Sequence, residues 1–208
     1  ETVRCSSLET GEELWVNEKH SADVLSVSVS GKYVVSGSED ETVRCMSLET
    51  GEELWVNENH SKDVRSVVAS GKYVVSGSED KTVRCMSLDT GEELWVNNQH
   101  SDSVGGVRSV AVSGDYVVSG SDDQTVRCMS LETGEELWVN KQHIYCVTLV
   151  AMSGKYVVSG SYMTVRCSSL ETGEELWVNK KHSADVRSVV VSGKYVVSGS
   201  EDETVRCM

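Results

Sequence analysis

Phenylalanine and proline are both absent from the 208 residues. A shared lack of this kind follows from copying one ancestral unit, because a unit without Phe and Pro passes the lack to every copy. Long apolar runs are missing too, which leaves no segment able to span a bilayer as a helix. No basic-then-apolar leader of the secretory kind stands at the start. Basic residues are scarce: 19 Lys and Arg face 33 Asp and Glu, a net charge of −14. That deficit opposes binding to nucleic acid or an anionic membrane surface and leaves room for a basic partner. Otherwise the composition, 38% hydrophobic and 25% charged, is that of an ordinary globular chain long enough for one sizeable core.

What is present is repetition. "TVRC" begins at Thr2, Thr42, Thr82, Thr125, Thr164 and Thr204, at intervals of 40, 40, 43, 39 and 40 residues. "YVVSGS" begins at Tyr33, Tyr73, Tyr116, Tyr156 and Tyr195, and "GEELWVN" carries Trp15, Trp55, Trp95, Trp138 and Trp177. Each period reads as four short strands, for example "DVRSVVAS" (63–70), "YVVSGS" (73–78), "TVRCMSL" (82–88) and "ELWVN" (93–97), separated by Gly- and Asp-based turns. One such sheet would expose both faces, whereas several packed radially bury them against one another. The expected fold is all-β: a β-propeller of about five four-stranded antiparallel blades. Residues 1–208 form a single domain in this reading, and the N-terminal strands close the last blade. Because "TVRC" stands at both ends, a larger or oligomeric ring is the rival arrangement.

The run "VVSGSEDKTVRCMSLDTGEELW" (74–95) resembles the WD40 repeat, and the resemblance extends over essentially the whole chain. The Trp-Asp dipeptide of that family is absent: its positions hold Met46-Ser47, Met86-Ser87 and Met129-Ser130, or Ser6-Ser7 and Ser168-Ser169. The resemblance implies a structural hydrogen-bond network in each blade. Its members would be His20, Ser36 and Asp40, then His60, Ser76 and Asp80, then His100, Ser119 and Asp123, and lastly His182, Ser198 and Asp202. In the fourth repeat His143 and Ser159 are present and the Asp has no counterpart.

His, Ser and Asp together suggest hydrolysis, but five equivalent sets do not make one activated nucleophile in one pocket. No catalytic residue and no cofactor is expected, and the chain reads as a non-enzyme. Cys5, Cys45, Cys85, Cys128, Cys167 and Cys207 recur at one strand position. Neighbouring sheets lie about 10 Å apart, too far for a disulfide. These residues read as small apolar groups in a reducing, intracellular and cytoplasmic setting, with no metal site. The sequon Asn59-His60-Ser61 occurs once, beside a network histidine, and reads as coincidence.

Departures from the template are concentrated in one place. The loop "HSDSVGGVRSV" (100–110) is three residues longer than "HSKDVRSV" (60–67), and the next repeat replaces "HSADV" with "HIYCV". In that same repeat "SEDET" becomes "SYMT" (161–164). The WD40 resemblance places these loops on one face, so Ile144, Tyr145, Tyr162 and Met163, bordered by Val104, are the candidate partner-binding residues. The opposing explanation is that the repeat packs internally to offset its deletion. The expected function is a scaffold for protein–protein interaction, with a protein or peptide as partner and an oligomer or larger complex within its range. The alternatives are a structural subunit or fragment of a larger propeller or assembly, and a lectin-like ligand-binding propeller. The "ETGEE" turns would place an acidic ring on one rim, a docking surface for a basic tail if it is not simply solvated.

Overall fold

A computed structural model of the chain describes residues 1–101 and 105–208. Blade one consists of β3 (Val24–Ser30), β4 (Tyr33–Ser38), β5 (Val43–Ser47) and β6 (Glu53–Asn57). Blade two repeats it as β7 (Val64–Ser70), β8 (Tyr73–Ser78), β9 (Val83–Ser87) and β10 (Glu93–Asn97). Blade three holds β11 (Val107–Ser113), β12 (Tyr116–Ser121), β13 (Val126–Ser130) and β14 (Glu136–Asn140). Blade four holds β15 (Val147–Ser153), β16 (Tyr156–Ser161), β17 (Thr164–Ser169) and β18 (Glu175–Asn179). Each is an antiparallel meander in chain order.

Local chemistry sets these boundaries. Ser30 pairs with Tyr33, leaving a two-residue turn, and Gly31 takes φ 57°, the left-handed geometry such hairpins need. At the next turn Asp40 accepts hydrogen bonds from the Thr42 backbone N–H (3.1 Å) and hydroxyl (2.6 Å). The second strand of blades one to four is buried almost throughout, because both of its faces are covered by neighbouring sheets. This is why "YVVSGS" lacks the alternation of a half-exposed strand.

The joints from blade one to blade four are copies of one another. At the joint of blades two and three, a Cβ on Gly77 would lie 2.6 Å from the Val107 Cγ1, so only glycine leaves room for that valine. The Val110 N–H donates to Ser66 Oγ at 3.1 Å. Trp95 Nε1 donates to the Leu131 carbonyl at 2.9 Å, and Asn97 Nδ2 to the Gly134 carbonyl at 3.0 Å. Trp15, Trp55 and Trp138 make the same reach to Leu48, Leu88 and Leu170. The "GEELWVN" strand is therefore an inter-blade staple. Cys45, Cys85, Cys128 and Cys167 sit buried, and burial pushes the thiols of Cys45, Cys85 and Cys128 up to about 12.

The two ends differ from this pattern. β1 (Val3–Ser6) and β2 (Glu13–Asn17) form a two-stranded sheet that packs through Val3 on Val34 and Met46 of blade one. Blade five has three strands, β19 (Val186–Ser192), β20 (Tyr195–Ser200) and β21 (Val205–Cys207). The expected closure of the last blade by the N-terminal strands is not detected among the strand pairings. With "TVRC" at both ends, β21 fills the place beside β20 that β1 would take.

Candidate partner-binding site

In four blades a histidine ties the loop before the first strand to the turn after the second. His60 Nδ1 donates to Asp80 at 2.7 Å, and its Nε2 lies 2.8 Å from Ser76 Oγ. With the proton on the nitrogen facing the carboxylate, Nε2 accepts the serine hydroxyl. His20, His100 and His182 repeat this with Asp40 and Ser36, Asp123 and Ser119, and Asp202 and Ser198. Burial alone would raise the Asp40 carboxyl. The hydrogen bonds from Thr42, His20 and the Ser21 N–H outweigh it and hold the group down to about 2. These acids and imidazoles are spent on holding loops.

Blade four lacks the acid. His143 keeps Ser159 at 2.8 Å through Nε2, while its buried Nδ1 has no partner among the described residues. Burial, assisted by the nearby Arg166 charge, lowers its pKa to about 4. Met163 occupies the left-handed position that Glu41, Lys81, Gln124 and Glu203 hold elsewhere, at φ 59°. The turn then reaches across the joint: the Met163 N–H donates to the Ala184 carbonyl at 3.1 Å, and Tyr162 forms a β-bridge with Asp185. In blade two the corresponding turn bonds within its own blade, Glu79 N–H to Asp63 carbonyl. Thr148 and Leu149 replace the Arg-Ser of the first strand, and the Thr148 hydroxyl donates to the Val186 carbonyl at 2.9 Å. The deletion in blade four is offset by bonds to blade five.

These changes also build a surface. The Tyr145 and Tyr162 rings pack edge-on with centroids 4.9 Å apart. Ile144 is 71% exposed, Tyr145 49% and Tyr162 40%, where the other copies carry Ser, Ala, Lys, Asp or Glu. Beside them runs a groove of about 310 Å³ lined by Gln124, Cys146, Thr148 and Asp185 as well as the two tyrosines. Met163 is half-buried at the edge of this group, and Val104 lies outside the described residues. Gln124, Thr148 and Asp185 escaped the sequence reading. Thr148 was visible as "VTLV" against "VRSV", but Gln124 and Asp185 belong to neighbouring blades and enter only through packing. The acidic rim is partly neutralised, since the last Glu of each "GEE" pairs with an Arg, as in Arg44–Glu53 and Arg84–Glu93, both 2.6 Å.

Stacked four-stranded meanders joined by inter-blade staples define a β-propeller repeat protein. The family model described as outer membrane protein assembly factor BamB matches residues 1–208, and the chain belongs to that family. This corrects the WD40 reading, which rested on the "SGSxDxT" turn. The whole-length match is to a different propeller family, and the tryptophans of this chain staple neighbouring blades from the fourth strand and do not form a Trp-Asp dipeptide. The crystal structure of the computationally designed Ika8 protein is similar at TM-score 0.91 and 30% identity, over 99% of this chain. This chain spans 64% of that one. No curated protein matches.

Proposed function

We propose that the protein is a non-enzymatic scaffold that holds a protein or peptide partner on the blade-four face, through Ile144, Tyr145 and Tyr162. The observation that carries this is the aromatic pair beside an exposed isoleucine, in a chain whose other loops at those positions are small or charged. Rigid aromatic side chains in a local apolar cluster are favoured anchors for a partner. Membership of a family described as an assembly factor supports the scaffold reading. The acids and histidines are committed to loop pinning, which supports the non-enzymatic part. The test is capture from the native source with the Tyr145→Ser/Tyr162→Ser double variant as control. Loss of a partner with an almost unchanged melting temperature supports the proposal. A large fall in melting temperature assigns the pair to packing alone.

A second reading is a structural part of a larger assembly, favoured by the 64% span against Ika8. Co-purification at fixed stoichiometry without dependence on the tyrosines would support it.

A further inference from the structure

Blade four lacks an ion-pair cluster that its neighbours carry, and a groove stands in its place. In blade two the second residue of the first strand, Arg65, bonds Glu79 just after the second strand, through Nε at 2.9 Å and Nη2 at 2.5 Å. It also pairs with Asp63, just before the first strand, at 2.9 Å. Arg187 of blade five repeats this with Glu201 at 2.6 Å and Asp185 at 3.2 Å. In blade three Arg108 holds Asp122 at 2.8 Å and reaches back across the joint to Glu79 at 3.6 Å. The corresponding three positions of blade four hold Thr148, Tyr162 and Cys146. All three line the groove of about 310 Å³ beside the tyrosine pair. Blade one has Leu25 at the arginine position, another long side chain, so only blade four puts a short one there.

The walls of the groove suit a cation. Asp185 lines it from blade five, and Asp122 of blade three faces the Cys146 thiol, which burial and that carboxylate raise above its ordinary pKa. Glu79 meets two arginines, one from its own blade and one from the next. Asp122 meets Arg108 alone among the described residues, because the next blade supplies Thr148. Asp63, Glu79 and Asp122 thus share two arginines, while Asp185 and Glu201 share one, which leaves a surplus negative charge on each flank. No Lys or Arg lines the groove among the described residues. The Tyr145 and Tyr162 rings add π faces that attract a cation.

We propose that this groove takes an arginine side chain of the partner, with its guanidinium where Arg65, Arg108 and Arg187 lie in the other blades. The inference rests on the blade-four face being a partner site and names what the partner brings to it. Asp122 and Asp185 accept the guanidinium N–H groups, and a tyrosine ring covers its plane. Arginine suits the groove better than lysine, because its planar fork of donors serves two carboxylates while it stacks on a ring. The repeat makes the same choice: three of the five blades place Arg at this position and none places Lys.

The test titrates the full chain with acetylated, amidated pentapeptides Leu-Gly-X-Gly-Leu, where X is Arg, Lys or Gln, and reads amide NMR shifts. The Arg peptide should move the amides of residues 145–148, 162 and 185. It should bind at least ~10-fold tighter than the Gln peptide, with the Lys peptide between them. Added salt should weaken it. Thr148→Arg, which puts the chain's own arginine into the groove, should weaken binding at least ~10-fold, and Asp185→Asn at least ~3-fold. Circular dichroism checks that both variants fold. Asp185→Asn keeps the backbone bridge to Tyr162, so it tests the claim even if Thr148→Arg misfolds. Equal binding of the Arg and Gln peptides, shifts that map away from blade four, or no saturation by ~5 mM overturns the proposal. Unchanged binding in either folded variant does the same. If the Arg peptide fails while Tyr145→Ser/Tyr162→Ser still loses the native partner, the arginine assignment falls and the partner face stands. If the double variant loses neither, both fall.

Discussion

The joint between blades two and three and the joint between blades four and five bring together the same kinds of surface and hold them by different bonds. At the first, a serine spoke, a valine against a glycine, and a Trp–Asn staple span the joint, while each turn is pinned inside its own blade by a His–Asp pair. At the second, Leu149 replaces the serine, and the turn leaves its own blade to bond the next one. In a stacked repeat, stability is roughly a sum of units and nearest-neighbour joints. A blade can therefore lose an internal pin if its neighbour supplies another. Blade four has done this, and its loop face is the one that carries exposed aromatics.

The largest contrast should come from the staples. Trp95→Ala is expected to cost about 3 kcal/mol, because the partly buried indole packs in the joint and its N–H is bonded across it. Trp177→Ala should cost less than that, because its ring is more than a third exposed. Urea unfolding of the two variants measures the difference, and equal losses would break the comparison. The glycines come next. Gly77→Ala drives a Cβ into Val107 and should cost about 1–3 kcal/mol. At Gly160 the nearest atom is the Leu149 Cδ1 at 2.8 Å, the end of a flexible chain that can swing aside, so Gly160→Ala should cost less.

Acid should act more strongly on blade four than on the Asp40 turn, where burial also lowers His20 but the Asp40 carboxylate opposes it. His143 has a folded pKa lowered to about 4, below the ordinary 6.5, so it contributes stability fully present above 6.5. That stability is lost as pH falls from about 6.5 to about 4, because the unfolded chain takes up the proton first. Asp40, held down to about 2, loses its contribution only as pH falls from about 3.8 to about 2. Amide exchange should show residues 143–164 losing protection near pH 5, while the bonds that Asp40 makes persist. Simultaneous loss would argue against an unpaired His143. The smallest effect is expected from Tyr162→Ser, within about 0.5 kcal/mol, since the Tyr162–Asp185 bridge is made by the backbone.

Much of this was legible in the sequence because copying repeats each local rule five times. The strands, the Gly–Lys turns and the His, Ser and Asp positions all follow from spacing within one period. The joints were not legible. Trp15 meets Leu48 at a separation of 33 residues, and Trp95 meets Leu131 at 36, so no pattern within a single period reveals the staple. The groove beside Tyr145 was half legible. Tyr145, Cys146, Thr148 and Tyr162 lie in the divergent repeat, while Gln124 and Asp185 come from the blades on either side. The family was misread because a turn motif follows the geometry of a turn, and unrelated propellers can share that geometry.

The most direct test of the account compares His60→Ala with His143→Ala by urea unfolding. Both remove a buried imidazole bonded to a serine, and only the first abandons a partly buried carboxylate. His60→Ala should therefore be the more destabilising by about 1–3 kcal/mol. Equal losses would contradict the claim that blade four has given up its internal pin.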